Sequence, residues 1–436
     1  MSSIHDRALA VYVRSANSNL MRCVGPHSEW VERTWSTIQP ALPTRAQTPT
    51  DSIVEQIVTL FDKELRYRVE NDQWETHGRA YFAAKVGFFV NHNLTLQLCL
   101  PAFPCKSSNP EKVMGVLPDR SEEIALRRLH AFSQQIEQIY PPGAKISIIS
   151  DGHVFSDCIG VDDKTVDEYG EHLKNLNQAI SQATGGKDRR VQFQSLVDLF
   201  NLQSLSAFTG ESVAGGLQLP ELPHYLPTKL DDVAELCRRI LVAGCQPSRE
   251  SIRNQIDFGD EALLALYRGF SRFMLEDLER HPLIQSRSRS QRKKLGTKVS
   301  FEMIVRNQAY SNLIELMFPD YLRLSIHAHN NSGPKFGIRL FNTDNVRAVR
   351  ELDSLGLDDN NDVDEGMSTA ANLLHIPTPW HNCVVQVAGD PTLYIVKYGV
   401  VKEASGTHRY SSNLIQGDLA KGEGAFVSLK RSGIAV

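Results

Sequence analysis

The chain has 436 residues, 41% of them hydrophobic, which is enough to fill the core of one large or two ordinary globular domains. With 47 Lys and Arg against 51 Asp and Glu its formal net charge is −4. That balance speaks against nucleic acid or an anionic membrane as a partner and leaves local basic clusters to bind a small anion. The seven cysteines stand singly, with no CxxC and no zinc-ligand spacing, so reduced thiols, a cytoplasmic setting and no metal site are expected.

Residues 1–47, which include PALP, read as an N-terminal extension; polar residues interrupt every apolar run short of the ~18 needed to span a membrane. TPTDSIVEQIVTLFDKELRY, from Thr48, predicts a helix capped at Thr50 or Asp51, with Ile53, Ile57, Leu60 and Phe61 on one face. LTLQLCLPAF, from Leu94, predicts a strand that empties into a polar loop. SEEIALRRLHAFSQQIEQIY, from Ser121, repeats with a helical period. KISIIS then predicts a buried strand. Strand, loop, helix and strand make a βαβ unit, so the expected fold is α/β: a Rossmann-like, mainly parallel sheet flanked by helices, with functional loops at the carboxyl ends of its strands.

Residues 163–300 read as mostly helical, broken by LQLPELPHYLP, either an insertion or a cap over the sheet. The basic run SRSRSQRKKLGTK, from Ser286, reads as a solvated loop or helix face, with steering of a phosphate as its functional alternative. YLRLSIHAH, KFGIRLF, CVVQVAG and TLYIVKYGVV predict additional C-terminal strands, in the same sheet or a second one. DSLGLDDNNDVDEG, residues 353–366, reads as an acidic surface loop without EF-hand spacing. The expected division is an extension over 1–47, an α/β domain over 48–381, and a strand-rich segment over 382–436 packed on it.

Four places carry chemistry, each with a bland alternative. Lys106 follows a strand beside Ser107 and Asn109 and could hold an anion, although a loop lysine is usually solvated. In SDGHVFSD, Gly152 permits an unusual turn, His153 titrates near neutrality, and Asp151 and Asp157 could orient it, or simply cap a helix. Arg323, Ser325 and His327 share one face of a strand, Lys335 opens the next, and Arg306 and Tyr310 share a helix face; such a lining suits a sugar phosphate or is wet surface. Trp380 and His381 could wall a pocket or belong to the core. No phosphate-binding glycine loop or catalytic serine elbow is present.

Taken in order, FPCKSSNPEKVMGVLPDRSEEIALRRL, ISDGHVFSDCIGVDDKTVDEYGEHL, LYRGFSRFMLEDL, SRSQRKKLGTKVSFEMIVRNQAYSNLIELMFPDYLRLSIHAH and TPWHN resemble the pyoverdine/dityrosine biosynthesis family, which includes isocyanide (isonitrile) synthases; the middle segment is similar to the fungal branch. The resemblance runs from about Leu94 to His381. It departs at Leu117 to Glu123, LPDRSEE, where the family often reads LPDLGEE; Ser121 would itself cap the helix well.

The resemblance implies a core without nucleotide or other cofactor, and a secondary-metabolite enzyme acting on an L-amino acid (tyrosine, tryptophan or an aliphatic one). Ribulose 5-phosphate would supply its carbonyl carbon as the isocyanide carbon, and downstream tailoring enzymes would follow. A related branch makes N-formyltyrosine, and a non-catalytic sugar-phosphate-binding module is the remaining alternative. The expected catalytic residues are Lys106, His153, Asp157, His327 and Tyr310. Those expected to bind substrate are Ser107, Asn109, Asp151, Asp162, Arg306, Arg323, Ser325, Lys335, Trp380 and His381. Lys106 and Arg323, with Arg306 or Lys335, fall to the phosphate and sugar, Asp151 or Asp162 to the amino group, and His153 with Asp157 to proton transfer. His153→Ala and Asp157→Ala are then expected to stay folded and inactive.

Overall fold

A computed structural model of the protein describes residues 49–432 apart from 71, 186–189, 202–215, 217, 246–247, 282–283, 285, 328, 342–343, 350–376 and 407–409. The expectations for residues 1–47 and for the acidic stretch 353–366 lie outside the described residues. The central sheet holds β1 (Leu96–Pro101), β2 (Ala144–Ile149), β3 (Val191–Gln194), β4 (Leu322–Ser325) and β5 (Lys335–Gly337), in the order β3-β2-β1-β4-β5. Every neighbouring pair is parallel. That order is the one found in doubly wound nucleotide-binding sheets, and it places a topological switch between β1 and β4, the position at which open α/β sheets generally bind their ligands.

Parallel strands are buried on both faces, hence the near-continuous apolar runs LQLCLP and AKISII. On one face Leu98, Leu100, Ile146 and Ile148 pack against α1 (Pro49–Glu64), α2 (Arg79–Asn91), α3 (Arg120–Ile139) and α5 (Asp163–Ala183). There Phe61 stacks on Phe82 at 4.3 Å, and Phe336 meets both edge-on. On the other face Cys99 and Ile149 meet α4 (Gly152–Ile159), α6 (Leu196–Phe200), α7 (Asp232–Cys245), α8 (Arg249–Asp257), α9 (Glu261–Glu279) and the long α10 (Arg289–Met317). The helical block is thus a cap over this face. It also contains β3, which sequence periodicity missed because a four-residue strand is too short to declare its period. The basic run forms the exposed start of α10. Among the described residues no helix is long and apolar enough to cross a membrane.

A second, mixed sheet holds β6 (Val346–Ala348), β7 (Cys383–Val387), β8 (Leu393–Val396), β9 (Tyr410–Ile415) and β10 (Phe426–Arg431) in the order β6-β8-β7-β10-β9, with α11 (Tyr398–Gly406) after β8. Its first strand precedes residue 382, so the strand-rich unit begins earlier than expected. TLYIVKYGVV splits into β8 and the start of α11. The unit grips the loop after β1: Ser107 N donates to Trp380 O at 2.9 Å and Gly399 N to Glu111 O at 2.7 Å.

Two local expectations change. The cap of α3 is Asp119, whose side chain accepts from Ser121 N while Glu122 reaches back to Asp119 N; Ser121 lies inside the first turn. Gly152 is required for space rather than for an unusual dihedral, since a Cβ there would stand 2.3 Å from Pro104 O and 2.5 Å from Val166 Cγ1. Gly152→Ala should therefore cost about 1–3 kcal/mol by pushing α4 off the loop after β1, read as a lowered midpoint of thermal unfolding.

Candidate active site

The register places Ser147, Cys99, Arg323 and Lys335 in one row across β2, β1, β4 and β5, with Ile149, Pro101, Ser325 and Gly337 in the row nearer the carboxyl ends. Side chains two apart share a face, so Asp151 and His327 extend this side as their chains leave the sheet. Helix α10 lies over it. Tyr310 donates its hydroxyl hydrogen to Ile149 O at 2.9 Å, and the next residue, Ser311, with Glu315 one turn further on, meets the charged row.

Arg323 Nη1 donates to Glu315 Oε1 at 2.6 Å and its Nη2 to Ser311 Oγ at 3.0 Å. Lys335 Nζ donates to the same hydroxyl at 2.9 Å, with Glu315 Oε1 3.9 Å away. Ser325 Oγ accepts from His327 N at 3.2 Å and lies 3.0 Å from His329 Nε2. Two cationic side chains thus share one carboxylate. Burial, reinforced by Arg323, lowers Lys335 to about 8, and burial with His327, Lys335 and Arg323 lowers His329 to about 3. The imidazole of His329 is therefore neutral at physiological pH.

Asp151 follows β2 at the start of α4 and is buried near Tyr310. Burial raises its carboxyl to about 7, and its Oδ1 has no hydrogen-bond partner. Tyr310 is pushed well above its ordinary value by burial and feels both Asp151 and Arg323, which sets it between them as a protonated phenol. The unfolded chain ionises this aspartate from about pH 4, whereas the folded chain keeps its proton to about 7, so folded stability falls as pH rises through that window. Asp151→Asn should remove this contribution: near-equal stability at about pH 4, and about 4 kcal/mol more than wild type at pH 8 by thermal unfolding.

A second cluster comes from the loop after β1, α9 and His381, and it is linked to the first because His381 feels His327. Lys112 Nζ pairs with Asp277 Oδ1 at 2.6 Å and lies 4.6 Å over the Phe273 ring. Ser107 Oγ donates to Asp277 at 3.2 Å, and His381 meets Phe273 edge-on at 5.0 Å. Burial, then Lys112, Lys397 and Lys106, with His327 also in range, drives His381 well below its ordinary value.

Several expected residues serve the scaffold instead. Lys106 Nζ is buried among Asp119 Oδ2 (2.8 Å), Glu122 Oε2 (2.8 Å), Ser121 Oγ (3.2 Å) and Pro379 O (3.0 Å), which leaves no hydrogen for a phosphate. Burial disfavours its charge, but the two carboxylates outweigh that and hold it protonated. Arg306 forks onto Asp157 at 2.5 and 2.9 Å and also bonds Glu302 and Val154 O, so its guanidinium has no edge to offer a ligand. Burial would raise Asp157, yet Arg306 and His224 hold it far below the carboxylate range, which removes it as a proton carrier near neutrality.

His153 turns its ring to Asp167 on α5, 3.2 Å away. Asp162 Oδ1 accepts from Lys229 N at 2.8 Å, Asn109 Nδ2 donates to Glu276 O at 3.1 Å, and Trp380 is buried against Phe103 at 5.2 Å. The structure therefore brings together Arg323, Ser325, His327 and Lys335, with Tyr310 between Arg323 and Asp151, and places Ser107 and His381 in the neighbouring cluster around Asp277 and Phe273. Sequence reasoning missed His329, Ser311, Glu315, Lys112, Asp277 and His224. All but His224 sit inside the motifs quoted above, so the motifs were the available signal.

Residues 86–407 match the family described as DIT1_PvcA, pyoverdine/dityrosine biosynthesis protein. The chain belongs to this family. The matched span encloses every candidate residue from Lys106 to His381. This family member is 45% identical over 351 residues to the spore wall maturation protein DIT1 of Saccharomyces cerevisiae, covering 80% of this chain and 62% of that protein, so it spans about three fifths of that relative's length. It is 36% identical over 259 residues to an L-tyrosine isonitrile synthase of Xenorhabdus nematophila, covering 59% of this chain and 67% of that one. The crystal structure of the PvcA protein of Pseudomonas aeruginosa shares the fold, with a TM-score of 0.61 at 24% identity over 87% of this chain and 99% of that one.

Proposed function

We propose that the protein is an isocyanide synthase that builds an isocyano group on the nitrogen of an L-amino acid, tyrosine or tryptophan in the first instance, with ribulose 5-phosphate as the carbon donor. The observation that carries this reading is the group Arg323, Lys335, Ser325 and His329 gathered on adjacent strands at the carboxyl ends of the parallel sheet, with Tyr310 linking it to the buried carboxyl of Asp151. A phosphate dianion needs uncompensated positive charge, and here two cationic side chains share one carboxylate. Joining an amine to a ketone needs a neutral amine and groups that exchange protons near neutrality. Asp151, raised to about 7, can take the ammonium proton, and His327 follows Ser325 at the end of β4. His381, held neutral beside the Phe273 ring, lines the wall where an amino-acid side chain would lie. The described cysteines are free thiols, which supports a cytoplasmic setting.

A second reading is favoured by the 45% identity to DIT1: the same two substrates, with the transferred carbon left as an N-formyl group. Incubation of purified protein with L-tyrosine and ribulose 5-phosphate separates the two by product mass and by the isocyanide infrared stretch. An amino acid that remains intact across a panel of candidates would sink both.

A further inference from the structure

The lysines near the carboxyl ends of the central sheet are of two kinds. Lys106 is clamped between two carboxylates at 2.8 Å each, and Lys112 is paired with Asp277 at 2.6 Å. Lys335 is different: its hydrogen bond goes to the neutral Ser311 hydroxyl at 2.9 Å, and the carboxylate beside it, Glu315, stands 3.9 Å off and is held by Arg323 at 2.6 Å. The side chain is 31% exposed, the most open of the three.

We propose that Lys335 is a nucleophile that takes the carbonyl carbon of the ketose phosphate as an imine and hands it to the amino acid's nitrogen. This rests on the function proposed above. An ammonium locked to a carboxylate cannot attack a carbonyl, and a lysine becomes nucleophilic when it is desolvated next to another cation. With burial and Arg323 lowering it to about 8, roughly one Lys335 in ten is neutral at pH 7, against roughly one in three thousand for an ordinary lysine. Arg323 is its register partner on β4, and adjacent strands stand ~4.8 Å apart. A five-carbon chain can therefore keep its phosphate at Arg323 while its carbonyl meets Lys335.

The neutral Nζ adds to the carbonyl carbon, and the oxygen takes up protons and leaves as water. One proton is consumed overall, and the product is a cationic imine on Lys335. The amino acid's neutral nitrogen then adds to the same carbon, and a proton moves from the incoming to the outgoing nitrogen. Lys335 departs as a neutral amine, with no change of oxidation state.

Borohydride reduction of the wild-type protein with ribulose 5-phosphate, followed by proteolysis and mass spectrometry, should place a reduced sugar-phosphate adduct on the Lys335 peptide. Lys335→Arg keeps the charge but cannot form the imine. It should lose the adduct and at least ~1000-fold in kcat, with the KM for ribulose 5-phosphate changed only a few fold. An arginine variant within about tenfold of wild type would overturn the proposal and leave Lys335 an electrostatic contact. So would an adduct confined to another lysine, or no adduct on protein that turns over. An adduct on Lys335 in protein that consumes no amino acid would instead defeat the synthase reading and leave the nucleophile standing; failure of both tests removes both.

Discussion

Asp157→Ala is expected to cost the fold about 3–5 kcal/mol rather than to leave a folded, inactive enzyme, and Arg306→Ala should do the same. Both side chains are buried, joined by two charge-assisted bonds of 2.5 and 2.9 Å, and each would leave the other as an unpaired charge in a dry interior. The double replacement, Asp157→Ala with Arg306→Ala, should cost less than the sum of the single changes, because neither charge is then stranded. Urea unfolding of the four proteins measures this coupling. Additive effects would show that the pair is not a unit.

The same network predicts a pH window. Asp157, depressed mainly by Arg306 against its burial, contributes stability that is present above pH ~4 and is lost as acid approaches its lowered folded value. His224, raised to about 9 by its bonds to Asp157 and Glu235, contributes stability that is whole below pH 6.5 and is lost as pH climbs through 9. His224→Ala should therefore flatten the alkaline limb of the thermal stability profile and shift the acid limb only slightly upward, since Arg306 still holds Asp157 low.

Arg323→Met should lower kcat/KM for ribulose 5-phosphate by about 100–1000-fold in a protein that still folds. The guanidinium is partly exposed and its carboxylate partner, Glu315, keeps Lys335 nearby, so the stranded charge is far milder than at Arg306. The loss should appear mainly in KM, with a smaller fall in kcat because Lys335 loses its neighbouring cation, and the KM part should shrink when dephosphorylated ribulose is the donor, since the missing cation then faces no phosphate. Equal losses with both sugars would remove Arg323 from the phosphate site.

Much of the sheet was legible because its strands are local: ISIIS and LQLCLP announce themselves by continuous apolar character, and the alternation in LRLS correctly put Arg323 and Ser325 on one face. What escaped was pairing at a distance. Asp157 and Arg306 are 149 positions apart, and His224 lies 67 from Asp157, so a buried ion pair looks in sequence like two reactive groups. Lys106 misled for the same reason, because its carboxylates, Asp119 and Glu122, look like an ordinary helix start. His329 was passed over beside His327, since sequence alone does not say which imidazole burial will keep neutral. The second sheet drew β6 from before the expected boundary because three residues carry too little pattern to be seen.

The most direct test supplies L-tyrosine with ribulose 5-phosphate carrying carbon-13 at its carbonyl carbon, and follows the product by carbon NMR and mass spectrometry. The predicted result is a tyrosine derivative with the label in the carbon bonded to its nitrogen, formed by wild type and lost in Arg323→Met. Unchanged tyrosine, or a product whose new carbon is unlabelled, would contradict the account.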